Sequence, residues 1–200
     1  MWKNTIELRA LRKVNRMKIK EQERLEIRFG GTGGQGLVLA SIILAEAMVK
    51  EGYNVIQGES HGIEARGGAS RGELIAARGE IYDLSVKLPD IFVGISQEAS
   101  NKYAADIRKD ALVIIDSSTV KESPVVDSQH VYHYPFTSMA LDELGTALPT
   151  NIIFLGALTG LSEIAAFETM EASILNRIPK GTEDVNLKAF ELGYQLREEA

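Results

Sequence analysis

Leu25-Glu26-Ile27-Arg28-Phe29-Gly30-Gly31-Thr32-Gly33-Gly34-Gln35-Gly36-Leu37-Val38-Leu39-Ala40 is the stretch on which the fold turns. Polarity alternates over Leu25–Phe29, which predicts a strand, and the glycines that follow break it. From Gln35 to Lys50 the apolar residues (Leu37, Val38, Leu39, Ile42, Ile43, Leu44, Met48) fall on nearly every side. That pattern predicts a helix covered by a sheet on one side and by something else on the other, with Gly52 as its stop. A strand, a glycine turn and an apolar helix in succession begin an α/β layer.

The rest of the chain extends it. Asn54–Gln57 predicts a second strand, and Leu74 to Leu84 a hairpin turning near Arg78-Gly79. Ile91–Ile95 and Leu112–Asp116 are short continuous apolar runs, the mark of strands covered on both faces. Gln97–Ile107 supplies the crossover helix between them, and Val131–Tyr134 a further strand. Helical spacing then governs residues 138–147, 151–166, 168–177 and 182–198. The expected fold class is α/β, a mainly parallel twisted sheet with an antiparallel hairpin and a helical C-terminal part.

Composition narrows the chemistry. The chain has 200 residues and no cysteine, so it offers no Cys-ligated iron–sulfur cluster, thiolate nucleophile or redox pair. Residues 1–20 carry seven Lys/Arg against Glu7, leaving 15 basic and 27 acidic groups, −12, on residues 21–200. An acidic body argues against nucleic acid as the main partner. No apolar run approaches the ~20 residues of a membrane span, so no membrane role and a cytoplasmic location are expected. Residues 1–23 read as a basic N-terminal extension, disordered or partly helical, with Met17 as an alternative start, and residues 24–200 as one domain.

Gly31-Thr32-Gly33-Gly34-Gln35-Gly36 satisfies G-x-G-x-x-G between a strand and a helix. Glycines permit the tight turn and let a ligand approach the backbone, while the helix start favours an anion. Glu59, 23 residues after Gly36, stands where a Rossmann enzyme holds its ribose-binding acid. A second glycine-rich segment, Ser60-His61-Gly62-Ile63-Glu64-Ala65-Arg66-Gly67-Gly68-Ala69-Ser70-Arg71-Gly72-Glu73, then replaces the crossover helix that a dinucleotide fold requires. No lysine completes a P-loop. Three readings fit the loop: another anionic group such as a phosphate of coenzyme A, close packing without a ligand, and a nicotinamide dinucleotide.

The two glycine segments, with Asn151-Ile152-Ile153-Phe154-Leu155-Gly156-Ala157-Leu158 and Asn186-Leu187-Lys188-Ala189-Phe190-Glu191-Leu192-Gly193-Tyr194, together resemble the gamma subunit, or gamma domain, of 2-oxoacid:ferredoxin oxidoreductases. The resemblance spans about residues 24–196. Its Glu64-Ala65-Arg66-Gly67-Gly68 form is closer to the 2-oxoglutarate and branched-chain members than to the pyruvate ones. The basic residues 1–16 depart from the family pattern.

The resemblance implies a subunit of an enzyme that converts a 2-oxoacid, coenzyme A and oxidised ferredoxin to an acyl-CoA, carbon dioxide and reduced ferredoxin. It implies that thiamine diphosphate, magnesium and the iron–sulfur clusters sit on partner subunits, and that ferredoxin is met through the complex. No tightly bound cofactor is expected on this chain, whose role would be assembly and a shared CoA site. The expected ligand-facing residues are Gly31, Gly33, Gly34, Gln35, Gly36, Glu64, Arg66, Gly67, Gly68 and Arg71. Arg66 and Arg71 suit phosphate because a guanidinium binds it bidentately. The alternatives are a free-standing NAD-dependent oxidoreductase and a ligand-free scaffold subunit, and the isolated chain is open to self-association.

Other candidates carry less. His130 and His133, three apart on a strand, point to opposite faces and lack a third zinc ligand. His61 sits beside Glu59 and Glu64 as a loop histidine. Asp116-Ser117-Ser118-Thr119 reads as turn and capping chemistry, and Gly156-xxx-Gly160 as close helix packing.

Overall fold

The computed structural model describes Ile19 and residues 22–60, 68–124, 128 and 130–198. The strands are β1 (Arg24–Thr32), β2 (Asn54–Ser60), β3 (Ala69–Ala77), β4 (Ile91–Gly94), β5 (Leu112–Asp116) and β6 (His130–Tyr134). The helices are α1 (Leu37–Lys50), α2 (Gln97–Tyr103), α3 (Phe136–Leu144), α4 (Thr150–Ser162), α5 (Phe167–Arg177) and α6 (Glu183–Gln195). The strands form one sheet in the order β2-β3-β1-β4-β5-β6. β1, β4, β5 and β6 are mutually parallel, and β3 runs against both of its neighbours, β1 and β2. The α/β class, the parallel majority and the C-terminal helices match the expectation.

The hairpin lies elsewhere than the sequence pattern placed it. No strand returns after Arg78; the strands adjacent in sequence that pair antiparallel are β2 and β3, and residues 61–68 connect them. The reason is positional. β3 is interior, with β1 on one edge (Ile27 opposite Leu74, Thr32 opposite Ala69) and β2 on the other (Ser60 opposite Arg71). No free edge remains on which a chain leaving Ala77 could pair. The crossover helix is also shorter than expected, ending at Tyr103.

The period of two in β1 sorts its side chains between two layers. Leu25, Ile27 and Phe29 join the larger core with α1 and α4, where the Phe29 and Phe154 rings meet edge-on at 5.2 Å. Glu26 and Arg28 face the opposite layer and are nonetheless buried. A smaller core of Phe92, Ala104, Ala111, Val113, Ile115 and Val120 covers the α2 side. Every residue of α4 is buried, because α1 and the sheet flank it on one side and α6 on the other.

Glycine makes the α4–α6 contact possible. A Cβ on Gly156 would fall on the Phe190 carbonyl oxygen and 2.8 Å from the Tyr194 nitrogen; one on Gly160 would lie 2.8 Å from the Tyr194 carbonyl. Gly193 meets the Ile153 carbonyl from the other side. The close packing expected of Gly156 and Gly160 is therefore what the structure holds.

An ion-pair cluster ties α1 to α5. Glu46 accepts from Asn176 at 2.8 Å and pairs with Lys50 at 2.9 Å and Arg177 at 2.5 Å. Burial pushes the Glu46 carboxyl up, but the bonds from Asn176, Lys50 and Arg177 outweigh it and hold it at about 2, against an ordinary 4.5. A carboxyl lowered on folding stabilises above its unfolded value and loses that contribution as the pH falls through the folded one. The stability advantage of wild type over Glu46→Gln is expected to be full above pH 5 and to vanish between about pH 4.5 and 2. Urea midpoints taken across that range check it; an advantage that persists unchanged at pH 2 contradicts it.

Candidate functional site at the glycine turn

The C-terminal ends of β1, β2, β4 and β5 lie along one end of the sheet, where open α/β sheets meet their ligands. β1 ends at Thr32, and the turn 33–36 leads into α1. Gly34 has φ +90° and Gly36 φ +71°, left-handed backbone that glycine adopts without strain. The space beside Gly33 and Gly34 is open: a Cβ at either would meet nothing within 4 Å. Gly31 is different, since a Cβ there would lie 2.7 Å from Gln35 Oε1 and 2.8 Å from Ile95 Cγ1.

Gln35 fastens this turn to the neighbouring strand. Its Oε1 accepts the Thr32 N–H at 2.7 Å and its Nε2 donates to the Ile95 carbonyl at 3.1 Å. The same carbonyl accepts Thr119 Oγ1 at 3.0 Å, so the ends of β1 and β4 and the turn after β5 meet at one atom. Gly36 holds the N-cap of α1 without a side chain to cap it, and no acidic residue stands in the first turn. Asn151, at the start of α4, donates from Nδ2 to the Gly36 carbonyl at 3.2 Å. Two helix N-termini thus converge beside the glycine turn, both of a polarity that favours an anion.

The sequence left Asn151 without a role at this turn, although it heads one of the motifs on which the family resemblance rests. Its partner lies 115 positions away in the chain, and no local pattern announces such a contact.

Of the second glycine segment, His61, Glu64, Arg66 and Gly67 lie outside the described residues. Its two anchors are described. It leaves the sheet at Ser60 on the edge strand and returns through Gly68 to Ala69, which pairs with Thr32, so the connection ends beside the glycine turn. Glu98 accepts the Ala69 N–H at 3.3 Å and Tyr103 OH donates to the Ala69 carbonyl at 3.1 Å.

Arg71 is not brought to the α1 side. Its guanidinium lies over the Tyr103 ring at 5.4 Å and 3.6 Å from Glu73 Oε1, on the α2 face, while Gly72 faces Ser41 of α1. Glu73 also pairs with Arg28 at 2.7 Å, so one buried carboxylate is shared by two arginines. Glu59 stands on the edge strand with β3 between it and β1, which separates it from the glycine turn and removes the neighbour relation that the dinucleotide reading requires.

Asp116 caps rather than attacks. Its carboxylate accepts the Ser118 N–H at 2.9 Å and the Thr137 N–H at 3.2 Å, at the start of α3. Among the described residues no three His, Asp or Glu side chains cluster as a metal site, and no helix is long and apolar enough to cross a membrane. With no cysteine anywhere in the chain, its donor set does not fit a Cys-ligated cluster.

The model of the family described as pyruvate ferredoxin/flavodoxin oxidoreductase matches residues 26–196. The crystal structure of a keto/oxoacid ferredoxin oxidoreductase gamma subunit from Geobacter sulfurreducens superposes with a TM-score of 0.80 at 34% identity, covering 90% of this chain and 99% of that one. The chain belongs to the gamma-subunit family of the 2-oxoacid:ferredoxin oxidoreductases. Within that family it is 41% identical over 189 residues to the 2-oxoglutarate synthase subunit KorC of Methanocaldococcus jannaschii, covering 93% of this chain and all of the relative. A 2-oxoglutarate:ferredoxin oxidoreductase from Magnetococcus marinus, solved with 2-oxoglutarate, coenzyme A and succinyl-CoA bound, has the same fold in a third of its length. There the TM-score is 0.78 at 23% identity, covering 90% of this chain and 32% of that one.

Proposed function

We propose that this chain is the gamma subunit of a 2-oxoglutarate:ferredoxin oxidoreductase, in which it serves assembly and completes the coenzyme A site. The substrate assignment is carried by the match to a 2-oxoglutarate synthase subunit across 93% of this chain. The thiamine diphosphate, magnesium and iron–sulfur clusters of such an enzyme belong to its partner subunits; for the clusters, that placement is supported by the absence of cysteine here. This chain's contribution is electrostatic and positional. The uncapped start of α1 at Gly36 and the open backbone at Gly33 and Gly34 take an anionic group such as a CoA phosphate. In the 61–68 connection, Arg66 is the residue assigned to bind that anion, with Gly67 and Gly68 letting it approach the backbone and Glu64 orienting the arginine. Arg71 holds the end of the connection against Tyr103 and Glu73.

The test is the complex purified with all its subunits. Turnover is expected to be fastest with 2-oxoglutarate when compared with pyruvate, 2-oxoisovalerate and indolepyruvate; a clear preference for any of the other three overturns the substrate assignment. Arg66→Ala is expected to lower kcat/KM for coenzyme A at least tenfold, about 1.4 kcal/mol of lost transition-state stabilisation, with the subunits still assembled. Unchanged coenzyme A kinetics would leave this chain as a scaffold.

A further inference from the structure

The connection from β3 to β4, Arg78–Asp90, has no regular structure yet is fastened at several points. Arg28 Nη2 donates to the Val86 carbonyl at 3.1 Å. The Glu26 carboxylate accepts the N–H groups of Lys87 at 2.8 Å and Leu88 at 3.1 Å. Asp90 closes the segment, accepting the Glu26 N–H at 2.8 Å and pairing with Arg108 at 2.8 Å. Glu26 and Arg28 are buried, so two desolvated charges are committed to holding a surface segment in one shape.

What that segment displays is apolar. Tyr82 is 84% exposed and Leu84 82%, and Leu88 is exposed beside them in sequence. Clustered apolar exposure marks an interaction surface, tyrosine is enriched among residues that dominate binding, and a pre-shaped loop loses little entropy on docking. Nearby charges are already paired: Asp83 with Arg24 at 3.2 Å and Lys87 at 3.4 Å, while the Tyr82 hydroxyl donates to Glu80. The spot is locally balanced on a chain of net charge −6. Two copies of so acidic a body repel one another, whereas a basic-rimmed protein is attracted to it.

We propose that Tyr82 and Leu84 on the Arg78–Asp90 connection are the anchor by which another subunit of the oxidoreductase docks, its facing surface an apolar recess rimmed by Lys and Arg. The proposal rests on the reading of this chain as one subunit of such a complex. It is tested by tagging this chain, co-expressing it with the thiamine- and cluster-bearing subunits, and weighing what is recovered with it. The double variant Tyr82→Ser, Leu84→Ser is expected to recover at least tenfold less partner, while the isolated variant melts at the wild-type temperature. Backbone amides of Ile81–Ser85 are expected to exchange more slowly in the wild-type complex than in the isolated chain. Full recovery by the variant, with no protection of those amides, overturns the anchor and leaves the subunit reading standing. A wild-type chain that recovers no partner overturns both. A wild-type dimer in sedimentation, dissolved by the double variant, makes a second copy the occupant and overturns the proposal too.

Discussion

Gly193→Ala is expected to destabilise the protein by about 4 kcal/mol or more, placing it among the most damaging single changes. In a helix interior, glycine to alanine ordinarily gains about 1 kcal/mol. Here the added methyl would land on the Ile153 carbonyl oxygen and 2.8 Å from both the Ala157 nitrogen and the Ile153 carbonyl carbon. These are backbone atoms of a helix buried along its whole length, so no rotamer change relieves the clash. α4 and α6 must separate, and the rings of Phe167, Phe190 and Tyr194 that cluster beside the contact lose their packing. At this chain length such a loss lowers Tm by roughly 10 °C. Glu191→Ala, on the exposed side of the same helix, is expected to change Tm little. A Gly193→Ala protein that melts with wild type refutes the account.

Arg28→Met is the second large effect, expected to cost about 3–5 kcal/mol. The substitution removes a 2.7 Å ion pair to Glu73 and hydrogen bonds to the carbonyls of Tyr103 and Val86. Among the described residues, Glu73 is then left buried with Arg71 as its cationic partner, at 3.6 Å. The penalty is mainly that of the abandoned carboxylate, so Arg28→Met with Glu73→Leu is expected to recover much of it. Urea unfolding of the single and double variants measures both. A double variant no more stable than the single one would show that the carboxylate is not the source of the loss.

Much of the architecture could be read from local pattern, because each feature that was read correctly is encoded within a few residues. The alternation in β1, the apolar all-round helix α1 and the short buried runs of β4 and β5 are of that kind. Leu74–Leu84 misled for the same reason. Arg78-Gly79 is a good local turn signal, but whether a strand returns depends on which edges are free, and β1 and β2 take both edges of β3. Glu26 and Arg28 were equally opaque. Their place in an alternating strand does not announce burial, and only the covering of the second sheet face makes them a buried network. At the site, the glycine turn was legible from its composition. The Asn151 contact that secures it and the opposite-face position of Arg71 were not, since both depend on register and long-range docking.

The order of the strands also bears on how the chain leaves the ribosome. β1 finds one neighbour only when Ala69–Ala77 has been made and the other only after Ile91–Gly94. α1, apolar on nearly all sides, waits longer still, because α4 and α5 cover its outer surface and end at Ser162 and Arg177. At ordinary translation speeds that wait is on the order of ten seconds. For that interval the nascent protein carries a bare greasy helix beside an unclosed sheet, a natural client for chaperones. Its vulnerable moment is therefore synthesis rather than service in the mature particle.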